Sequence, residues 1–368
     1  MARMDLLLLN ETGVVPHIGC LAVANANARM LSGAGHRVKF RTFVTEYREL
    51  WNGDEASSIT AAEKEFRDRF DEVNGVVVNG EGTLHHGAGL HLLAVAGAAQ
   101  RRGLKTFLVN TVFQEIDAFR DVLRRFDDFV VRDACSLKEA RAFGCRSARM
   151  ELDSVLAADW GHEPMIDLSG KVVVSDWFPG RTRDVGVAMR AFERSRPNAF
   201  FFPFRHGIHL SCWRSAVATL KTARSFVCAR HHGLYVAGLA AVPFVAFPSN
   251  SHKVEGLIEA SGLPIPFVEQ AADLESALRK AENEPTLFEE FGEFLRGRSP
   301  LTTFQALGNS TDPATAPTER DRQSGADALQ KKELLPYEEW RRNPMAWGLD
   351  SPERHLLMTE ETTLPGGV

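Results

Sequence analysis

At 368 residues, with 44% hydrophobic and 25% charged positions, the chain has the composition of ordinary globular domains, excludes a collagen-like or wholly disordered polymer, and has room for two domains. A net charge of −5 speaks against the clustered Lys and Arg that phosphate-backbone binding needs, so no nucleic-acid partner is expected. The five cysteines, Cys20, Cys135, Cys145, Cys212 and Cys228, are odd in number and contain no C-x-x-C pair, so reduced thiols in a cytoplasmic protein are expected.

The chain opens Met1-Ala-Arg-Met-Asp5 and then Leu6 to Leu9, an apolar stretch too short for a signal-peptide core and better read as a first strand. From there short β-rich runs alternate with helical patterns, the signature of βαβ units around a parallel sheet covered on both faces. The first series has strands at Asp5–Asn10, His36–Val44, Gly75–Asn79, Lys105–Asn110, Asp127–Arg132 and Ala148–Leu152. Helices are predicted near Cys20–Leu31, Ala61–Phe70, Ala88–Gln100 and Ser136–Phe143. The pattern breaks between Leu156 and Gly170, where Gly161, Pro164 and Gly170 mark a linker.

The second series has strands at Lys171–Ser175, Ala199–Pro203, Ser225–Ala229, Pro243–Phe247 and Ile265–Val268. Its helices are predicted at Arg183–Arg194, Leu210–Thr222, His232–Ala241, Lys253–Ala260 and Leu274–Glu282. This predicts an α/β protein of two Rossmann-like domains facing across a cleft, spanning 1–158 and 169–303. Residues 304–328 are too poor in apolar side chains to offset the entropy of ordering and read as a flexible linker. Residues 329–368, with Tyr337, Trp340, Met345 and Trp347, read as a partly disordered appendage. No run approaches the length of a membrane span.

Four motifs lie on this frame. The first is Asn10-Glu-Thr-Gly-Val-Val-Pro-His-Ile-Gly19, a loop leading from the first strand into a helix. The second is Val76-Val-Val-Asn-Gly80-Glu-Gly82-Thr-Leu84. The third is Arg132-Asp133-Ala-Cys-Ser136, continuing to Gly144 and Leu152-Asp153. The fourth runs Arg230-His231-His232-Gly233, then Pro243, then Lys253-Val-Glu-Gly256-Leu. In order and placement they resemble the polysaccharide pyruvyl transferase family, with Gly-x-x-Asn-Ile-Gly-Asp, Gly-Gly-Gly-x-Leu, Arg-Asp-x-x-Ser and Arg-Leu-His-Gly as the family patterns. This chain departs from them at His17, Cys20 and Glu81, where the family has Asn, Asp and Gly.

The resemblance implies transfer of a pyruvyl group from phosphoenolpyruvate onto two hydroxyls of a glycan sugar, giving a cyclic ketal and phosphate. It also implies a fold similar to the glycosyltransferase B architecture, with phosphoenolpyruvate as donor substrate and no cofactor. A lipid-linked sugar acceptor would bring the protein to the inner membrane face, although no basic amphipathic helix announces it.

Phosphoenolpyruvate carries phosphate and carboxylate together, which calls for guanidinium groups and helix N-termini. Arg132 and Arg230 sit at predicted strand ends, where open α/β sheets place ligand-binding residues. The bland alternative for Arg132 is a pair with Asp133 or another carboxylate. His232, at a helix start, is the candidate general acid or base, with a helix cap as the alternative. Lys253 can neutralise departing phosphate, or can be an ordinary lysine at a helix start.

Gly80 and Gly82 permit close backbone approach to a ligand or a neighbouring helix. Glu81 can meet acceptor hydroxyls or be solvated, while Arg205 and His17 are further candidates for binding substrate. His85, His86, His206, His209, His231 and His232 form three close pairs, but none has zinc-ligand spacing, so no metal is expected. Two readings compete with pyruvyl transfer: a sugar-nucleotide-dependent glycosyltransferase of the same architecture, and a catalytically silent glycan-binding protein motivated by the three motif departures.

Overall fold

The structure, a computed structural model, describes residues 3–178, 183–205 and 213–298. The predicted flexible linker and C-terminal appendage, with His206, His209 and Cys212, lie outside the described residues. The first domain runs β1 (Asp5–Glu11), α1 (Ile18–Gly33), β2 (Arg37–Phe43), α2 (Glu55–Glu65), α3 (Arg67–Phe70) and β3 (Gly75–Asn79). It continues with α4 (Leu90–Arg101), β4 (Lys105–Thr111), α5 (Arg120–Arg124), β5 (Asp128–Val131), α6 (Ala134–Ala142) and β6 (Arg149–Met150). The second domain comprises β7 (Val172–Ser175), α7 (Arg183–Ser195), β8 (Ala199–Phe202), α8 (Trp213–Lys221) and β9 (Ser225–Cys228). It ends with α9 (His231–Ala240), β10 (Phe244–Ala246), α10 (Lys253–Ser261), α11 (Leu274–Asn283) and α12 (Pro285–Arg296).

All strand pairs are parallel, in the orders β2-β1-β3-β4-β5-β6 and β10-β9-β7-β8. Along β1, Leu6 and Leu8 enter one apolar core and Leu7 and Leu9 the other. That two-residue period buries both sheet faces, which is why β1 reads as an unbroken apolar run. The core holding Leu6 and Leu8 continues through Ile18 and Ala22 of α1 into Val173, Phe226 and Leu234 of the second domain. Backbone contact reinforces that junction, since Ile18 N–H donates to Phe204 O at 2.8 Å.

Differences from the predicted elements have local causes. The helix expected at Ala61–Phe70 begins earlier, because Asp54 caps α2 by accepting from Ser57 N–H at 2.8 Å, and it breaks before α3. The strand expected at Ile265–Val268 pairs only through a bridge between Phe267 and Ala246. Helix α12 was not predicted, although Pro285 in its first turn and the buried stripe Phe288, Phe291 and Leu295 are the ordinary signals of one.

Candidate active site

In each sheet the strand order reverses beside the first strand, between β1 and β3 and between β7 and β9, and the crevice beyond such a switch point is where open sheets bind ligands. The two crevices face each other. In the first, Asn10 Nδ2 donates to Asn79 O at 2.6 Å and to Thr83 Oγ1 at 3.0 Å, fastening the loop after β1 to the loop after β3. In the second, Arg230 at the end of β9 donates through Nε to Asp176 Oδ2 at 3.0 Å and through Nη2 to Trp177 O at 2.6 Å. Between them lies a cleft of about 910 Å³, lined among others by His17, Cys20, Glu81, Gly82, Arg132, Arg205, Arg230, His232 and Lys253.

Asp153 joins the two sides. Its Oδ2 accepts from Arg132 Nη1 at 2.6 Å and lies 3.4 Å from His232 Nε2 and 3.5 Å from His231 Nε2. Its backbone N–H donates to the Tyr235 hydroxyl at 3.1 Å. Burial alone would raise the Asp153 carboxyl, but Arg132, His232 and His231 together hold it well below the usual carboxylate range. Arg132 is therefore paired with a carboxylate other than its neighbour Asp133, which instead caps α6 by accepting from Ser136 N–H at 2.8 Å.

His232 lies in the first turn of α9, whose N-cap is Arg230. Its ring faces Gly19 of α1 so closely that a Cβ there would stand 1.9 Å from Nδ1. Neighbouring His231, which also lines the cleft, donates through Nδ1 to Lys253 O at 3.1 Å, and its ring meets Tyr235 edge-on. Lys253 is buried, and its Nζ donates to Asn250 Oδ1. Desolvation, with Arg132 and Arg230 nearby, lowers the ammonium to about 7. Burial also pushes the His17 imidazole well below its ordinary value, with Arg230 and His232 adding to the effect. An uncharged His17 accepts through Nδ1 from Gly19 N–H at 3.0 Å and so caps α1.

Of the glycine pair in the second motif, Gly82 belongs to the cleft, with a hypothetical Cβ 3.5 Å from Arg132 Nη2 and 3.8 Å from Lys253 Nζ. Gly80 packs closely against the end of β4, where a Cβ would stand 2.0 Å from Thr111 Oγ1. Glu81 is not solvated. It is buried at 4% exposure with φ +29°, a left-handed conformation costing a non-glycine residue on the order of 1–3 kcal/mol.

Arg205 forms an antiparallel bridge with His17, placing both on the same wall. Residues not expected in the site are Asp153 as its hub, Asp176, Asn250, Tyr235 and Gly19. The Asp153 position is visible as the end of the third motif and Gly19 as the end of the first; Asp176, Asn250 and Tyr235 carry no local signal. Among the described residues no group of three His, Cys, Asp or Glu is arranged to hold a metal ion, and no helix is long and apolar enough to cross a membrane.

The fold and the facing crevices define a two-domain α/β protein similar to the glycosyltransferase B architecture. Among solved structures, a UDP-GlcNAc 2-epimerase from Neisseria meningitidis bound to UDP-GlcNAc superposes with a TM-score of 0.52 at 8% identity, over 82% of this chain and 98% of that one. The S. aureus MnaA–UDP structure gives 0.53 at 9% identity, over 83% and 94% of the two chains. A putative UDP-N-acetylglucosamine 2-epimerase from Listeria monocytogenes gives 0.52 at 11% identity, over 83% and 94%. At these identities the likeness is one of fold. No family model and no curated protein matches the sequence.

Proposed function

We propose that the cleft transfers the pyruvyl group of phosphoenolpyruvate to two hydroxyls of a glycan sugar. The observation that carries this reading is the approach of Arg132 and Lys253 to Gly82, in a cleft that Arg230 and His232 also line. A small donor with a carboxylate and a phosphate meets such a group of cations with both charges, and its binding returns to Lys253 the proton that burial disfavours. His232 then protonates the methylene carbon, making C2 electrophilic, and the cations stabilise charge on the departing phosphate.

A second reading is a sugar-nucleotide donor. It is supported by the fold likenesses, whose bound ligands are UDP and UDP-GlcNAc, and by a cleft of about 910 Å³. On fold alone this reading is the better supported; the motif residues and the clustered cations favour phosphoenolpyruvate. The two separate in one experiment, which incubates the protein with a panel of sugar acceptors and either phosphoenolpyruvate or UDP-sugars. Acceptor-dependent phosphate release from phosphoenolpyruvate is the expected result, and UDP release in its place overturns the pyruvyl reading. Either release excludes a silent glycan-binding protein.

A further inference from the structure

We infer that Glu81 is a catalytic base, taking the proton of the acceptor hydroxyl as it attacks the donor. The inference rests on the group-transfer reading above and adds to it a second proton-handling residue, on the wall opposite His232.

Buried carboxylates ordinarily take strong donors from Arg, Lys or backbone N–H groups. Glu81 has no such partner among the described residues. Oε1 accepts from the weak donor Cys20 Sγ–H at 3.2 Å, and Oε2 from Asn79 Nδ2 at 3.5 Å. Its one ion-pair neighbour there is His232, with Nε2 4.0 Å from Oε1. The carboxylate thus keeps acceptor capacity inside the cleft, where an incoming hydroxyl supplies the missing donor. It is held there by a backbone at φ +29°, in a loop whose neighbours on both sides are glycines.

Cys20 and Glu81 are two of the positions at which the chain departs from the motifs it resembles, and they touch. A cysteine stands where the pattern has Asp, and a glutamate where it has Gly. The carboxylate lost from α1 reappears at the same point of the cleft from the loop after β3.

For the pyruvyl donor the step balances as follows. Protonated His232 gives its proton to the methylene carbon while the first hydroxyl oxygen bonds to C2 and its proton passes to Glu81. Glu81 returns that proton to His232 across the 4.0 Å gap. The C2–O bond to phosphate then breaks with its electron pair leaving on phosphate, the second hydroxyl bonds to C2, and its proton leaves through Glu81 to the phosphate. The first hydroxyl proton thus replaces the one His232 gave to the new methyl group, and the second ends on phosphate.

The test uses the full chain with both donors. Glu81→Gln is expected to lower kcat by about 100- to 10,000-fold, the range for losing an acid–base group, while donor binding stays measurable by calorimetry. Glu81→Gly is expected to lose turnover with Tm equal or higher, since the left-handed position suits glycine. Adding Cys20→Asp to Glu81→Gly restores turnover by returning a carboxylate to the same point. Near-normal kcat in Glu81→Gln, or no restoration in a double variant that still folds and binds donor, overturns the inference. Wild type active with UDP-sugars alone overturns the pyruvyl donor, and the same variants then judge Glu81 with that donor. Wild type inactive with both donors overturns the group-transfer reading and this inference with it.

Discussion

The imidazole of His232 rests on the bare Cα of Gly19: a Cβ at that position would lie 1.9 Å from Nδ1 and 2.1 Å from Cγ. Helix α1 of the first domain therefore sets the ring position of a histidine carried by α9 of the second. Gly19→Ala is expected to displace His232 and reduce turnover strongly, although alanine is the better helix former. Overpacking costs about 1–3 kcal/mol, so the variant folds with a lowered midpoint in urea, and the activity lost exceeds the stability lost.

Asp153 is the carboxylate shared by Arg132, His231 and His232. Asp153→Asn leaves the buried Arg132 guanidinium without a counter-charge, and breaking a buried pair in this way costs about 3–5 kcal/mol. Chemical denaturation is expected to show that loss. Asp153→Asn with wild-type stability would mean that Arg132 finds another partner.

Lys253 predicts the pH dependence of donor binding. Its ammonium is lowered to about 7, and only the charged form attracts an anion, so donor Kd is expected to rise as pH increases through that value. The limit is about tenfold per pH unit. Calorimetry in two buffers of different ionisation enthalpy should show net proton uptake on binding above neutrality. Stability has its own sign: between about 7 and the ordinary 10.5 the unfolded chain binds more protons than the folded one. The contribution of Lys253 to stability therefore rises with pH across that window. Lys253→Met is expected to flatten both dependences.

Arg230 makes a forked contact with Asp176 and reaches Trp177 O. Lysine cannot reproduce that planar geometry. Arg230→Lys is expected to weaken donor binding by about tenfold or more, measured as Kd, with little change in affinity for acceptor alone.

Much of the architecture was legible because it rests on local rules. Apolar runs at β1, β3 and β9 with helical patterns between them predict parallel strands buried on both faces, and the strand ends at Arg132 and Arg230 follow. Helix α12 is equally legible from Pro285 and its apolar stripe. Gly80 and Gly82 are legible as close approaches, but not as approaches to what: Gly80 meets Thr111, and Gly82 lies beside Arg132 and Lys253. Gly233 against Cys228 Sγ and Gly256 against Asp133 Oδ1 are close approaches only the structure shows.

The sequence by itself determined the alternation of strands and helices and the residue types at their ends, because hydrophobic period and chain-terminating signals act over a few residues. Only the tertiary structure decided that Asp153 stands between Arg132 and His232, that Gly19 seats the His232 ring, and that Glu81 meets Cys20. Those partners come from different helices and strand-end loops, and in three of the pairs they are 61 to 213 residues apart in a chain folded into two sheets. Long-range packing across the facing crevices brings them together, and no local pattern encodes which strand end will face which.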